Sequence, residues 1–148
     1  MMYRILFLAV TCADIAAKYL AERFLTHCVL IPGVLGLRLD RNTGVAFSFF
    51  SGLGRISGVI SLLLITLALA AMRRYDMKPL FRAGAVLMIA GAFSNMLERL
   101  AFGFVTDMIE ILAFRFAVFN LADCAVCIGC GIMILSLLGK GEAVWKKK

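Results

Sequence analysis

Four apolar runs, at about residues 3–20, 56–72, 82–100 and 117–138, constrain this chain more than any other feature. Each is close to the roughly 20 residues with which an α-helix crosses the hydrocarbon of a bilayer. A helix is suited to that solvent because it satisfies its own backbone hydrogen bonds. The pattern predicts an α-helical integral membrane protein with four transmembrane helices. Composition agrees: 63% of the residues are hydrophobic, against roughly 45–50% in soluble domains. Four spans leave room for one modest insert, at about 22–55, so residues 1–148 are expected to form a single membrane-embedded domain.

That insert is punctuated by Pro32, Gly33, Gly36, Gly44, Gly52 and Gly54, with Val34, Leu35, Leu37 and Leu39 between them. Alternation of this kind suggests short strands, and the segment is too apolar for a disordered linker. A small extracytoplasmic β-sheet between helices one and two is the expectation. The first run has the apolar core of a secretory signal, but Asp14 and Lys18 interrupt it where a cleavage region would want small residues. It is read as a permanent helix.

The net charge of +7 does not point to nucleic acid, because the basic residues flank apolar runs rather than lining one polar face. They follow the positive-inside rule instead. Arg4, then Arg73, Arg74, Lys78 and Arg82, then Lys140 and Lys146 to Lys148 mark one side of the membrane, which predicts cytoplasmic N- and C-termini. On the other side, Arg23, Arg38, Arg41, Arg55, Arg99 and Arg115 are sparser and are offset by Glu22, Asp40, Glu98, Asp107 and Glu110. Cys12, Cys28, Cys124, Cys127 and Cys130 make no even disulfide framework. Four of these cysteines lie in apolar segments, where a thiol behaves as a small hydrophobe. The run Cys124, Cys127 and Cys130 lacks a fourth ligand, with His27 in another segment. No metal and no cofactor are expected.

With odd spans running outward and even spans returning, sequence order becomes depth at about 1.5 Å per residue. Asp14 and Lys18, Asn95 and Arg99, and Asn120 and Asp123 then fall at one level near the outer leaflet, and Asp107 lies in the short outer link beside them. Spacings of three or four place each pair on one helix face. Asp14 with Lys18 reads by itself as a structural ion pair, and Asn42-Thr43-Gly44 as a turn. Ionisable residues at membrane depth are costly and mark functional paths. Two carboxylates brought close cannot both ionise easily, so one keeps a proton while the other accepts one, which is the acid and base pair of aspartic proteolysis. The other reading of the same carboxylates is a small proton-coupled transporter or channel, in which Asp14, Asp107 and Asp123 form a relay. Such a relay needs titratable steps in the inner halves of spans three and four, and the sequence offers none there.

Four segments together resemble the lipoprotein signal peptidase family, also called signal peptidase II. They are Asp14 to Lys18, Asn42-Thr43-Gly44-Val45-Ala46-Phe47-Ser48, Gly91 to Asn95 through Arg99, and Val105 to Asp107 with Phe119 to Asp123. The resemblance implies a bacterial inner-membrane aspartic endopeptidase. It would cleave the signal peptide from diacylglyceryl-modified prolipoproteins before the lipidated cysteine, without a cofactor and as a monomer among membrane lipids. It implies Asp107 and Asp123 as the catalytic dyad, Asn42, Asn95, Arg99 and Asn120 as substrate-binding residues, and Asp14 and Lys18 as structural support. Three positions depart from the family's usual residues: Glu98 in place of aspartate, Ala117 in place of proline and Ala90 in place of glycine. The longer arm of Glu98 is expected to change how Arg99 is held, and Ala117 to change where the fourth helix starts.

Overall fold

A computed structural model describes residues 1–44, 52–113, 117–138 and 144–147. Val45 to Ser48 of the second motif, Arg115, Lys140 and Lys148 lie outside the described residues. The chain runs α1 (Met2–Phe24), β1 (Cys28–Ile31), β2 (Leu35–Asn42), α2 (Gly54–Arg74), β3 (Tyr75–Met77), α3 (Pro79–Phe102), β4 (Val105–Ile111), α4 (Leu121–Leu138) and β5 (Trp145–Lys147).

The helices are the expected ones, with shifted ends. α2, α3 and α4 are long and apolar enough to cross a membrane. α1 has the length but carries Asp14 and Lys18 along it. α3 starts with Pro79, whose missing N–H would have no helical partner there. It ends at Gly103, which takes the left-handed conformation (φ 81°) and returns its N–H to the Arg99 carbonyl. α3 is the helix on which the others assemble, packing against α1, α2 and α4. Its Ile89 and Met96 meet Ile65 of α2, with Phe7 of α1 and Phe93 closing over them. Leu62, Leu63, Leu64 and Leu67 of α2 face outward, as lipid contact demands.

α3 and α4 approach closely through glycine. A Cβ on Gly129 would lie 2.5 Å from the Gly84 carbonyl oxygen, and one on Gly91 would lie 2.3 Å from that of Ala122. Small residues let helix backbones meet where lipid gives no hydrophobic drive to association. Gly131, two residues further along α4, has nothing within 4 Å of its Cβ position among the described residues.

The sheet is larger than the insert alone. β1 and β2 form an antiparallel hairpin, and β4, from the link between α3 and α4, completes the order β1-β2-β4. The expected short outer link is therefore a strand. Its residues Val105 to Met108 are all buried, so no alternation of apolar and polar residues betrays it. The pairing shifts midway: three steps along β2, from Leu37 to Asp40, oppose two along β4, from Ile109 to Asp107. Such a bulge turns the residues beyond it onto the other face. It sets Asn42 opposite Val105 and so on the same face as Asp107. A second small sheet pairs β3 with β5 and was not foreseen, since three-residue segments carry no periodic signal.

The fourth helix begins at Leu121, not Ala117. Phe119 is extended and exchanges backbone hydrogen bonds with Ile109, N to O 2.8 Å in each direction, which adds it to the edge of β4. This correction matters because it puts Asn120 and Asp123 at the junction of a sheet and a helix.

Gly91→Val should push the start of α4 off α3 and destabilise the protein by about 1–3 kcal/mol, the usual cost of overpacking. Gly131→Ala should be close to neutral. Thermal unfolding of the two variants in the same detergent checks the difference.

Candidate active site

The site is built from a buried ammonium group outward. Lys18, 3% exposed, places its Nζ 2.7 Å from Asp14 Oδ2, 3.0 Å from Glu98 Oε2 and 2.7 Å from Asn95 Oδ1. Three donors meet three acceptors, so a charge that is costly at this depth is fully satisfied. Asp14, with no exposed surface, accepts from Ser94 Oγ at 2.7 Å through Oδ2 and from the Ala122 backbone N–H at 2.8 Å through Oδ1. The expected ion pair is present, and it does more than neutralise itself: it ties α1 to α3 and to the first turn of α4.

That first turn is closed by a reciprocal cap. Asp123 donates its backbone N–H to Asn120 Oδ1 at 2.8 Å, while Asn120 donates its own to Asp123 Oδ2 at 3.2 Å. This is a capping box with Asn120 as the cap and Asp123 three residues on. The other Asp123 oxygen accepts from Asn95 Nδ2 at 2.9 Å. Asp107, 2% exposed on β4, accepts from Asn120 Nδ2 at 2.6 Å and from Asn42 Nδ2 at 3.1 Å. Asn120 thus touches both aspartates.

Asp107 and Asp123 front one cleft of about 290 Å³, whose other polar residues among the described ones are Asn42 and Arg99 and whose walls include Val105, Val118, Phe119 and Val126. A larger cavity of about 400 Å³, between α2, α3 and the β3–β5 sheet, is lined by Met72, Met88, Trp145 and similar side chains, with no carboxylate among the described residues. The two aspartates make the smaller cleft the candidate site. Burial, and after it the neighbouring Asp123 carboxylate, pushes Asp107 up to about 7. A pair in that state takes up a shared proton close to neutral pH. One carboxylate can then serve as acid while the other serves as base.

Of the residues named from sequence, the structure divides the substrate-binding group. Asn42 and Arg99 line the cleft. Asn95 and Asn120 are buried behind the aspartates, with their side-chain amides engaged by Lys18, Asp123 and Asp107. Arg99 reaches the Gly44 carbonyl at 3.4 Å, and its buried Nε has no hydrogen-bond partner among the described residues. Glu98, expected to change how Arg99 is held, has no hydrogen bond to it among the described residues and meets its charge through space. Its carboxylate turns to Lys18 and to Thr106 instead. Thr106 lies inside the segment Val105 to Asp107, and its place beside Asp107 is the signal that sequence offers for it.

A family model described as signal peptidase (SPase) II matches residues 6–139. The lipoprotein signal peptidase of Coxiella burnetii (strain RSA 493 / Nine Mile phase I) is 39% identical over 137 residues, covering 84% of this chain and 82% of its own. That of Sinorhizobium fredii (strain NBRC 101917 / NGR234) is 41% identical over 132 residues, covering 85% and 80%. A solved structure described as a bacterial membrane enzyme at 2.3 Å resolution superposes with a TM-score of 0.86 at 23% identity, covering 96% of this chain and 94% of that one. At that identity the likeness speaks for the fold.

Lys18→Met should leave the buried Asp14 and the half-buried Glu98 without their counter-charge and cost about 3–5 kcal/mol. Adding Asp14→Asn to that variant should recover part of the loss. A double-mutant cycle on thermal unfolding measures it, and strict additivity would contradict the coupling.

Proposed function

Because the chain belongs to the signal peptidase II family, we propose that Asp107 and Asp123 are the hydrolytic dyad with which it works. The protein is an aspartic endopeptidase that removes the signal peptide from diacylglyceryl-modified prolipoproteins, cleaving before the lipidated cysteine. The observation that carries the assignment is that one asparagine, Asn120, holds both carboxylates at the mouth of one cleft.

In the proposed mechanism the ionised member of the pair takes a proton from water, and the water oxygen attacks the scissile carbonyl. The protonated member gives its proton to the carbonyl oxygen. The carbonyl carbon becomes tetrahedral; the carboxyl that took the water proton gives it to the departing amine, the C–N bond breaks as the C=O re-forms, and one hydroxyl proton returns to the other carboxylate. The amine leaves as the new N-terminus of the lipidated cysteine. Asn42 and Arg99 are proposed to hold the substrate backbone. The Nε of Arg99, unpartnered among the described residues, is proposed as a donor for a peptide carbonyl, since a buried donor is seldom left unused. Asn95 and Asn120 are better read as orienting the dyad than as meeting substrate, because they lie behind it.

The same reading has all four helices crossing the membrane in a single domain of residues 1–148, with both termini cytoplasmic and the dyad near the outer leaflet. The charges of α1 support its crossing, since Asp14 and Lys18 are turned into the protein and leave Ile5, Leu8 and Ile15 for the lipid. The substrate's diacylglyceryl chains would stay in the bilayer beside the cleft. A monomer suffices, as every residue of the proposed site comes from one chain. No observation favours the transporter or channel reading.

Asp107→Asn and Asp123→Asn should each abolish release of signal peptide from a diacylglyceryl-modified prolipoprotein while the protein still accumulates in the membrane. Normal cleavage by either variant would sink the dyad. The pH dependence has a definite sign. Asp107 is raised to about 7, so the pair loses its last proton above that pH, and kcat should fall about tenfold per unit on the alkaline side. A rate that stays level to pH 9 would contradict a shared proton.

A further inference from the structure

Thr106 and Asp107 are adjacent on β4, so their side chains point to opposite faces of the strand. Asp107 faces Asn42, Asn120 and the cleft. Thr106, 1% exposed, faces α1 and α3, where both of its donors meet one carboxylate. Its backbone N–H is 3.0 Å from Glu98 Oε2 and its Oγ1 is 2.8 Å from Glu98 Oε1. A third contact, Oγ1 to Glu22 Oε1 at 3.3 Å, joins Thr106 to the carboxylate that Arg41 grips from the opposing strand at 2.6 and 3.1 Å.

We propose that Glu98 and Thr106 are positioning residues for the reaction, a two-point clamp that fixes Asp107 relative to Asp123. This rests on the reading of those aspartates as the dyad. Two hydrogen bonds from one residue to the two oxygens of one carboxylate fix both the Val105–Thr106 peptide plane, one residue before Asp107, and the rotamer of Thr106. The strand cannot then rotate Asp107 away from the cleft. Glu98 is itself anchored. Its Oε2 also accepts from Lys18, whose Nζ donates to Asn95 Oδ1, and Asn95 donates to Asp123 Oδ1. One carboxylate therefore controls Asp107 through the Thr106 peptide and Asp123 through Lys18 and Asn95. The reach of a glutamate, longer by one methylene than an aspartate, lets one side chain on α3 span from Lys18 to β4.

The test is the steady-state cleavage of a diacylglyceryl-modified lipopeptide by purified protein, well below the unfolding temperature of each variant. Thr106→Val keeps the branched shape and the backbone N–H but loses the hydroxyl. It should lower kcat by about tenfold to a hundredfold, the scale of a misplaced catalytic group, with KM within about twofold. Thr106→Ser restores the donor and should recover most of kcat. Glu98→Gln, which keeps the arm but leaves one acceptor oxygen, should lower kcat in the same sense and stands in if Thr106→Val does not accumulate. An unchanged kcat in Thr106→Val or Glu98→Gln overturns the clamp, as does a serine variant no better than the valine one. Asp107→Asn is run beside them. If it is inactive while Thr106→Val is normal, the clamp alone fails; if it is active, the dyad fails and the clamp with it.

Discussion

The fold depends on the solvation of one buried ammonium group. Lys18 lies 3% exposed among helices that lipid surrounds, and a charge there is tolerated only where protein supplies the whole of its coordination. Asp14, Glu98 and Asn95 do so at hydrogen-bonding distance. Because α3 supplies two of the three acceptors, satisfying the charge fixes α1 against α3. Because Asp14 also caps the Ala122 N–H, it fixes α4 as well. Apolar packing sets the helices side by side, but it is non-directional. The polar cluster supplies the register and rotation that packing leaves open.

That cluster is continuous with the chemistry. From Lys18 the contacts run through Asn95 to Asp123 and through Glu98 and Thr106 to the strand that bears Asp107. The aspartates come from unlike elements, one from a strand and one from the first turn of a helix, and Asn120 joins them. Among the described residues Asn42 and Arg99 accompany the aspartates as polar residues of the cleft, while Lys18, Asp14, Glu98, Asn95 and Asn120 stand behind it.

A bulge in a two-strand ladder has a comparable reach. Without the extra residue of β2 between Leu37 and Asp40, Asn42 would fall on the Thr106 side of the sheet and could not donate to Asp107. The glycine contacts between α3 and α4 act in the same direction, since Gly91 lets the helix that carries Asn95 meet the Ala122 carbonyl beside Asp123. Each device is small, and each bears on where a carboxylate ends up.

Sequence alone determined the four helices and the strands of the insert, and it singled out Asp107 and Asp123 as the candidate pair. Long apolar runs admit little but helices in lipid, and acids within them stand out against that background. The motifs Asp14 to Lys18 and Asn120 to Asp123 were legible because helical spacing is local. What only the tertiary structure decided is non-local: that β4 completes the sheet, that α4 waits until Leu121 to begin, that Asn95 and Asn120 stand behind the two aspartates, and that Glu98 bonds to Lys18 and Thr106. Strand pairing, a bulge and the sharing of one lysine among three acceptors join residues far apart in the chain. Their free energies depend on which partner lies across the gap, and no window of neighbouring residues contains that partner.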